Sequence, residues 1–496
     1  MADPARTKSL AALGLTAKDG REAQISGLAL DSRKVRPGNL FAALPGSRVH
    51  GGAFIRFALR MGAAAILTDR EGARIAQREL AASDAALVLA EDAAQALAFA
   101  AALWFEVQPE TVAAVTGTNG KTSVASFLRQ IWTGLGLEAI SLGTTGIRGA
   151  FEAPLAHTTP DAITLHRLLA EAARAGVGHA AMEASSHGLV QRRLDGVRLA
   201  AAGFTSFSQD HLDYHADFDA YFAAKEALFS RVLPADAPVV ANIDDLRGAQ
   251  VAEKARARGQ PVIAVGRAAG ADLRILGQRF DAGGQDFRFE WRGRVELARL
   301  GLIGGFQAEN VAVAAGLAIA CGAEPGQVFA RFPGLKTVRG RMQLAATRDS
   351  GAAIFVDYAH TPGALETALA ALRPHVMGRL IAVIGAGGDR DRGKRALMGR
   401  AAARGADVVF VTDDNPRSED PAAIRAMVME GCPEATEIAD RAEAILRAVD
   451  ALQPGDALLI AGKGHESGQI VGDDVFPFDD AEQASVAVAA LDGHAP

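Results

Sequence analysis

The segment Gly117-Thr118-Asn119-Gly120-Lys121-Thr122 carries residue types that can bind phosphate groups. Glycines let backbone N–H groups turn inward around an anion, and the N-terminus of a following helix adds positive partial charge. Lys121 can then reach the β- and γ-phosphates of a nucleotide, and the Thr122 hydroxyl can bind Mg²⁺. The motif is the short form G-x-x-G-K-T, because the long form requires glycine where this chain has Val115. A glycine turn with a surface lysine is the alternative.

The flanking sequence supplies the elements that such a loop needs. The β-branched apolar run Val112–Thr116 predicts a buried strand, and Ser123–Arg129 predicts a helix. From Glu110 to about Val338, strand and helix patterns alternate, which is typical of a parallel sheet covered on both faces. The sequence therefore predicts an α/β fold around this loop.

A second candidate group is the carboxylate of Glu183, which follows the predicted strand end Gly178–Met182. In open α/β sheets, ligands bind at the carboxyl ends of the strands. Glu183 is therefore a candidate Mg²⁺ ligand through oxygen. A helix N-cap or first-turn acid is the alternative role for this residue.

The run Ser208–His215 contains two histidines and two aspartates in eight residues. One histidine is predicted to bind a second divalent ion beside a phosphate, with a zinc site and a solvated polar loop as alternatives. The following segment Tyr221–Phe229 has the pattern of an amphipathic helix. From its spacing alone, Lys225 is expected to snorkel to solvent past aromatic neighbours.

In the C-terminal third, four predicted strands each end in a charged cluster, expected at one edge of one sheet. The clusters are Asp357–Pro362, Gly385–Arg390, Thr412–Arg417 and Gly462–Glu466. They suit a small zwitterionic ligand, with Arg417 gripping a carboxylate and Asp414 pairing with an ammonium group. Solvated loop charge is the alternative. The second cluster is not a dinucleotide fingerprint, because Arg390 stands at its last glycine position.

Bulk composition narrows the class of protein. The 496 residues are 49% hydrophobic and 22% charged, which predicts a globular chain of about three domains. The net charge of −6 and the lack of a basic stripe argue against a nucleic-acid partner. No signal-peptide pattern is visible, and the apolar runs are shorter than the roughly 18 residues that span a bilayer. The expectation is a cytoplasmic protein without membrane insertion.

Taken together, nine motifs over essentially the whole chain resemble those of the Mur ligases of bacterial cell-wall synthesis. In order they are TGTNGKT, HTTPD, MEASSHGL, DHLDYH, AAKEALF, DYAHTPGAL, GGDRDRGKR, DDNPR and GKGHE. The resemblance implies three α/β domains. They are an N-terminal UDP-substrate domain at 1–107, a central P-loop parallel-sheet ATPase domain at 108–338, and a C-terminal Rossmann-like amino-acid domain at 339–496.

The resemblance also implies a nucleotide-substrate site and an ATP site. The UDP-substrate contacts would be Leu30, Ser32, His157, Thr158, Thr159, Ser185, Gln191 and Arg193. The ATP contacts would be Gly117, Thr118, Asn119, Gly120, Lys121, Thr122, Ser123, Asn310, Arg341, Asp357 and His360. His157 stands where the family usually has Asn.

The same resemblance assigns the catalytic and metal-binding groups. The implied catalytic residues are Lys121, Glu183, His211 and Lys225. Thr122 and Glu183 would hold one Mg²⁺, and His211 and a carboxylated Lys225 would hold the second. A lysine binds a cation in this way only after CO₂ converts its amine to a carbamate anion, which reverses the expectation from helical spacing.

The amino-acid pocket implied by the family separates its members. Its residues here would be Arg390, Asp414, Asn415, Pro416, Arg417, Gly462 and Glu466. The Asn-Pro-Arg run resembles members that add meso-diaminopimelate, because a guanidinium can grip the carboxylate at the far end of that substrate. Lysine-adding members lack this run. Ser467-Gly468 stand where Asp-Tyr is common, so the rim of the pocket is expected to differ.

The function implied is an ATP-dependent ligase that adds meso-diaminopimelate to UDP-N-acetylmuramoyl-L-alanyl-D-glutamate through an acyl phosphate. A monomer is expected. The alternatives are a lysine-adding relative, another ATP-dependent amide ligase such as folylpolyglutamate synthetase, or a P-loop nucleotide switch that joins nothing.

Overall fold

The computed structural model describes residues 7–46, 49–208 and 214–493. The chain divides into two compact units. The first unit comprises Met1–Leu273 and Ala312–Val328, and the second comprises Arg274–Val311 and Phe329–Pro496. Among the described residues, no helix is long and apolar enough to cross a membrane.

The first unit begins with a small parallel sheet. A short antiparallel pair, β1 (Lys8–Ser9) and β2 (Gln24–Ile25), precedes it. Its four strands lie in chain order: β3 (Gly27–Ala29), β4 (Asn39–Ala43), β5 (Ala65–Thr68) and β6 (Ala86–Leu89). The helices are α1 (Ile55–Arg60), α2 (Arg70–Ile75), α3 (Gln77–Ala81) and α4 (Ala93–Phe105). Both faces of this sheet are covered, since the side chains of β4 enter two separate hydrophobic clusters alternately.

The larger sheet of the first unit carries the phosphate-loop segment. Its strands are β7 (Thr111–Thr116), β8 (Ala139–Gly143), β9 (Gly146–Gly149), β10 (His179–Glu183), β11 (Leu199–Phe204), β12 (Val239–Asn242) and β13 (Val262–Gly266). They lie in the order β13-β12-β11-β7-β10-β8-β9, and all but β9 run parallel. Because β7 lies between β10 and β11, the segments after these three strands meet at one edge.

The helices of this part of the first unit cover the sheet. They are α5 (Lys121–Gly134), α6 (Ala162–Arg174), α7 (Ser186–Val190), α8 (Phe218–Ala227) and α9 (Leu246–Ala257). The helix predicted over Ser123–Arg129 is confirmed and extends further at both ends. The helix predicted over Tyr221–Phe229 is also confirmed. It ends at Ala227, and a π-helical turn over Leu228–Val232 follows it.

The stretch of the chain from Leu273 to Phe329 contains three strands and two helices. The strands are β14 (Leu273–Asp281), β15 (Gly284–Trp291) and β16 (Arg294–Leu300). The helices are α10 (Phe306–Ala320) and α11 (Pro325–Phe329), and each has residues in both units. Strands β15 and β16 pair antiparallel and place Phe287 and Phe289 in the core.

The second unit contains the six-stranded sheet with the predicted charged strand ends. Its strands are β17 (Gln343–Thr347), β18 (Ala353–Asp357), β19 (Leu380–Ile384), β20 (Val408–Val411), β21 (Thr436–Glu437) and β22 (Ala457–Ala461). The order is β17-β18-β22-β19-β20-β21, with only β17 antiparallel. The prediction that four clusters lie at one edge of one sheet is therefore confirmed.

The remaining elements of the second unit are five helices and a hairpin. The helices are α12 (Pro362–Leu372), α13 (Lys394–Gly405), α14 (Pro421–Met429), α15 (Arg441–Asp450) and α16 (Asp480–Asp492). The hairpin pairs β23 (Gly468–Val471) with β24 (Asp474–Pro477). The two faces of the sheet pack against separate apolar clusters, as expected for strands with continuous apolar runs.

Candidate functional site

The glycine loop after β7 adopts backbone conformations that glycine favours. Gly117 has φ +143° and Gly120 has φ +85°, and α5 begins directly after Gly120. A Cβ atom at Gly117 would lie 1.9 Å from Thr205 Oγ1, so a side chain there would collide with the neighbouring strand end. The Thr205 hydroxyl donates to the Asn119 carbonyl at 2.5 Å, which ties the loop to β11. The sheet and the loop therefore place the N-terminus of α5 where its backbone N–H groups can bind an anion.

Two lysines converge on one carbonyl of this loop. Lys121 Nζ donates to the carbonyl oxygens of Gly117 at 2.9 Å and Thr118 at 2.8 Å. Lys225 Nζ donates to the same Gly117 oxygen at 2.7 Å and lies 4.3 Å from the centroid of the Tyr221 ring. Lys225 is 1% exposed, so the prediction that it snorkels to solvent is wrong. Helical spacing could not reveal a partner that lies 108 residues earlier in the chain.

Glu183 and Thr122 lie side by side at the carboxyl ends of β10 and β7. Thr122 Oγ1 donates to Glu183 Oε2 at 2.9 Å, and the Thr144 backbone N–H donates to Oε1 at 2.8 Å. A Cβ atom at Gly143 would lie 1.9 Å from Glu183 Oε1, so the carboxylate occupies the space that a side chain would take. A hydroxyl beside a carboxylate is an oxygen donor set that suits Mg²⁺.

The alternative role of Glu183 as a helix cap is wrong. Glu183 is the last residue of β10, and Ser185 caps α7 by accepting from the Gly188 N–H at 3.1 Å. The glutamate is 1% exposed. Its carboxylate is therefore fixed by the loop contacts and not by a helix end.

Most of the predicted UDP-substrate contacts in the larger sheet belong to one polar network. Thr159 Oγ1 donates to the Glu183 carbonyl at 3.0 Å and accepts from the Ser185 N–H at 3.1 Å. Thr158 Oγ1 lies 3.0 Å from Thr144 Oγ1. Arg193 donates to the Thr159 carbonyl and to Gln191 Oε1.

The other three predicted contacts lie elsewhere in the first unit. His157 is exposed and directly precedes Thr158 in the chain. Leu30 and Ser32 follow β3 of the small sheet. Ser32 begins a 3₁₀ turn capped by the Asp31 carboxylate.

His211 lies outside the described residues, so its predicted metal role has no structural account. The neighbouring His215 is described, and its Nε2 lies 3.0 Å from Ser186 Oγ. Over residues 7–46, 49–208 and 214–493, no group of three or more His, Cys, Asp or Glu side chains is arranged to hold a metal ion. Asp210, His211 and Asp213, on which the zinc alternative depends, lie outside the described residues, so that alternative is not tested.

In the second unit, three of the predicted ATP contacts surround Tyr358. The Arg341 guanidinium lies 4.8 Å from the centroid of the Tyr358 ring, and His360 Nδ1 lies 2.8 Å from the Tyr358 carbonyl oxygen. Asp357 Oδ2 accepts from the Met342 N–H at 2.7 Å, and burial raises the pKa of this carboxyl. Desolvation by the surrounding groups lowers the pKa of His360, although the residue is exposed at the surface.

The fourth predicted ATP contact of this unit, Asn310, lies on α10. It is buried, and its amide nitrogen donates to Gln307 Oε1 at 3.1 Å. The hydrogen bond fixes the amide along the helix one turn from its start.

The predicted amino-acid contacts form a second polar group, which we call the strand-end cluster. Its members are Asp414, Asn415, Arg417, Gly462 and Glu466. Asn415 Nδ2 donates to Glu466 Oε2 at 2.9 Å. Gly462 has φ +119°, and a Cβ atom there would lie 2.7 Å from Asp414 Oδ2. These side chains come from the ends of β20 and β22, as the sequence predicted.

Arg417 of this cluster is fixed through its backbone. It has φ +51°, its N–H donates to the Ile470 carbonyl at 3.1 Å, and it bridges to Val471 of the hairpin. One guanidinium nitrogen donates to the Gly388 carbonyl at 2.8 Å, which leaves further N–H groups for a carboxylate. Of the other predicted contacts, Pro416 is buried and Arg390 is exposed on the loop after β19.

Sequence reasoning missed three contact residues, although each lies in or near a segment with a visible motif. Thr144 binds Glu183, Thr205 binds the glycine loop, and Lys463 lies inside the strand-end cluster. The Thr-Thr turn after β8 and the lysine of GKGHE were visible signals. Their partners are distant in sequence, so no local pattern could assign them.

Comparison with protein-family models matches three regions of the chain. Residues 24–105 match the Mur ligase family catalytic domain, residues 115–318 the Mur ligase middle domain, and residues 340–464 the Mur ligase glutamate ligase domain.

Curated relatives and a solved structure extend this similarity over nearly the whole length. The chain is 49% identical over 473 residues to UDP-N-acetylmuramoyl-L-alanyl-D-glutamate–2,6-diaminopimelate ligase from Bradyrhizobium diazoefficiens, covering 94% of this chain and 95% of the relative. It is 50% identical over 475 residues to the enzyme of that name from Caulobacter vibrioides, covering 94% and 96%. A solved structure of an enzyme of the same name aligns with TM-score 0.72 and 34% identity, covering 95% and 96%.

Proposed function

The chain belongs to the Mur ligase family, and we propose that it joins meso-2,6-diaminopimelate to UDP-N-acetylmuramoyl-L-alanyl-D-glutamate with conversion of ATP to ADP and phosphate. It is an ATP-dependent amide ligase of peptidoglycan precursor synthesis. The observation that carries the substrate assignment is the near-full-length similarity to relatives named for this reaction. The glycine loop and the strand-end cluster supply the two kinds of chemistry that it needs.

Each domain supplies contacts to one or more of the substrates. Residues 1–107 bind the UDP end through Leu30 and Ser32, with the polar network around Thr159 taking the rest of that substrate. Residues 108–338 bind ATP through the loop Gly117–Ser123. Residues 339–496 bind the amino acid through the strand-end cluster, Arg390 and Pro416, and the group around Tyr358 belongs to the nucleotide. Support comes from the glycine loop and the strand-end cluster, which follow the carboxyl ends of their strands.

The first step activates a carboxylate. An oxygen of the D-glutamate γ-carboxylate attacks the γ-phosphorus of ATP, and the bond to ADP breaks to leave an acyl phosphate. The Lys121 ammonium and the N–H groups of the loop lower the repulsion between the two anions. Thr122 and Glu183 would hold one Mg²⁺, with His211 and carboxylated Lys225 holding a second, and such ions supply charge neutralisation of the phosphates.

The second step forms the amide. The diaminopimelate amine attacks the acyl carbon, the amine loses a proton, and phosphate leaves. Asp414 and Glu466 accept hydrogen bonds from ammonium groups, and Arg417 binds the carboxylate at the far end of the amino acid bidentately. The amino-acid substrate must therefore contact both acidic and basic side chains.

The carbamate on Lys225 is part of this proposal. The amine is 1% exposed and lies against the loop carbonyl of Gly117, close to where the phosphates bind. Loss of a proton from the ammonium group and addition of CO₂ to the resulting amine, with release of a second proton, would convert this cation into a carbamate anion that can act as an oxygen ligand. Protein equilibrated with ¹³C-bicarbonate should show one carbamate carbon resonance that is missing from Lys225→Gln, and equal spectra would refute the modification.

We further place the protein in the cytoplasm as a monomer. ATP and UDP-linked sugars are supplied there, and all the predicted substrate contacts come from one chain. Sedimentation of the purified protein with its substrates tests the monomer, and a stable dimer would overturn it.

The function is tested by product mass. Purified protein is supplied with ATP, the UDP-linked dipeptide, and equal amounts of meso-diaminopimelate and lysine. The expected product is the diaminopimelate tripeptide with equimolar ADP. Incorporation of lysine would favour the lysine-adding alternative, and ADP formed without any tripeptide would favour a nucleotide switch.

A further inference from the structure

Lys463 lies inside the strand-end cluster with no exposed surface. Its relative exposure is 0%, although it follows the last strand residue Ala461 by only two positions. The flanking residues Gly462 and Gly464 have φ +119° and +55°, conformations that favour glycine. These two backbone conformations direct the Lys463 side chain into the protein interior, next to the side chains that we assign to binding of the amino-acid substrate.

The Lys463 ammonium contacts three side chains of the cluster or beside it. Its Nζ donates to Asn415 Oδ1 at 2.9 Å. It lies 3.6 Å from Asp414 Oδ1 and 3.6 Å from Glu466 Oε2. One ammonium group can therefore donate a hydrogen bond to the amide and attract both carboxylates by its charge.

The hydrogen bonds of Asn415 fix the direction of its amide. Asn415 Oδ1 accepts from Lys463 Nζ and from the Ile470 N–H at 3.0 Å, which fills both of its lone pairs. The amide nitrogen must then face Glu466 Oε2 at 2.9 Å, and one N–H remains for a ligand. Without Lys463, Asn415 Oδ1 would keep only the Ile470 N–H as a donor, so the amide would be held less firmly in this orientation.

We propose that Lys463 is a positioning residue for the amino-acid substrate, which orients the Asn415 amide and holds Asp414 and Glu466 together as carboxylates. This inference rests on the proposed function. Two carboxylates around one site repel each other, and a shared cation between them keeps both available for ammonium groups of the substrate. The remaining Asn415 N–H then faces the substrate as a donor for carboxylate oxygen.

A purely structural buried ion pair is the competing explanation. Arg379 offers a comparison in the same unit, at the opposite end of the sheet, just before β19 begins. Its guanidinium lies 2.7 Å from the Asp456 carboxylate, and the arginine side chain is 39% exposed while that of Asp456 is 4% exposed. Loss of that pair should lower stability without any selective effect on one substrate.

The test compares Lys463→Met with the wild type and with Arg379→Met in steady-state kinetics for all three substrates. Loss of a hydrogen bond to a charged group predicts that KM for meso-diaminopimelate rises by about 10- to 100-fold in Lys463→Met. KM for ATP and for the UDP-linked dipeptide should stay within about twofold, because the cation touches neither site. Acyl-phosphate formation without amino acid should be unchanged. Arg379→Met should show a lower melting temperature and wild-type KM values.

The selectivity of the effect among the three substrates is a readout that a purely structural role would not produce. If Lys463→Met does not accumulate as folded protein, Lys463→Gln is measured instead, since it keeps an N–H donor but loses the charge. A selective rise in amino-acid KM supports the proposal in either variant.

Two results would overturn the proposal. One is an unchanged amino-acid KM, and the other is a loss shared equally by all three substrates. The wild-type reaction in the same assay reports separately on the function, because failure to form tripeptide with meso-diaminopimelate would refute that function whatever the variants do.

Discussion

The glycine loop of the first unit and the strand-end cluster of the second both hold buried or half-buried lysines, but in different ways. Lys121 and Lys225 donate to main-chain carbonyls of the loop. Lys463 contacts only side chains among its described partners, namely an amide and two carboxylates. The loop is therefore shaped by backbone conformation, and the cluster by side-chain identity.

This difference determines which substitutions each region can tolerate. A backbone cradle depends on glycine conformations and on the absence of Cβ atoms, so most substitutions disrupt it whatever their chemistry. A side-chain network can change its preference for a ligand when one member changes, while the sheet beneath is unaffected. The backbone cradle suits phosphate chemistry, which many ligases share. The side-chain network suits selection of the amino acid.

The largest effect is expected from Lys121→Ala. Removal of the cation that faces the terminal phosphate should lower tripeptide synthesis by about 10²- to 10³-fold, because two anions must approach each other. ADP release and product mass measure the loss. Lys254→Ala is the matched control in the same unit, since Lys254 is half exposed and pairs with Glu226 at 2.7 Å. Full activity of Lys121→Ala would contradict the role of the loop.

A smaller loss is expected from Gly143→Ala, which tests whether the backbone design extends to Glu183. The new methyl group would take the place of Glu183 Oε1 and move the carboxylate from Thr122. Misplacement by about 1 Å predicts a loss of up to about 100-fold, with more Mg²⁺ needed for half-maximal rate. Gly178→Ala is the control, because nothing lies within 4 Å of its Cβ position. Equal Mg²⁺ titrations for both variants would refute the contact.

Arg417→Lys addresses the side-chain design and should change selectivity more than rate. An ammonium group cannot form the bidentate pair of a guanidinium, so KM for meso-diaminopimelate should rise about tenfold. The preference over lysine should fall in a competition assay read by product mass. Arg404→Lys, a pair with Glu366 on the surface, is the control. A tenfold loss in kcat with unchanged selectivity would argue against this assignment.

The smallest effect concerns stability in the first unit, away from both sites. Burial lowers the pKa of His166 from 6.5 to about 4, while its Nε2 lies 3.0 Å from the Asp195 carbonyl oxygen. The folded chain keeps this ring neutral, whereas the unfolded chain binds a proton below about pH 6.5. The free energy of unfolding should therefore fall as pH falls through this window, by about 1 kcal/mol between about pH 7 and pH 5.5.

Denaturant unfolding of His166→Gln at the same pH values tests this linkage. The glutamine amide can donate to the Asp195 carbonyl and does not titrate, so the variant should lose less stability on acidification. Parallel pH dependence in the variant and the wild type would show that another group is responsible.

Sequence patterns predicted the strands of the second unit closely. The strands Leu380–Ile384, Val408–Val411 and Ala457–Ala461 directly precede three of the charged clusters, because each is a continuous apolar run that ends at a glycine or polar residue. The order of strand ends then placed the charged clusters at one edge. These features are local or follow from general rules of parallel sheets.

The contacts of individual polar side chains could not be predicted in the same way. Lys225 has an ordinary amphipathic spacing, and only the fold shows that its amine lies under the glycine loop. Thr144 and Lys463 likewise find partners 39 and 48 residues away. Hydrogen bonds of this kind depend on how loops from separate strands meet, which leaves no periodic signal in the chain.

The hairpin after Glu466 sets the register of Arg417, since the arginine is joined to Ile470 and Val471 through its main chain. An exchange of the Asn-Pro-Arg segment between ligases of different amino-acid choice would therefore fail if the hairpin kept its original length and sequence. Chimeras that transfer residues 412–417 together with 467–477 should acquire the donor's preference, whereas chimeras with either piece alone should bind neither amino acid well. Transfer of preference by the shorter piece alone would show that the two segments evolve independently.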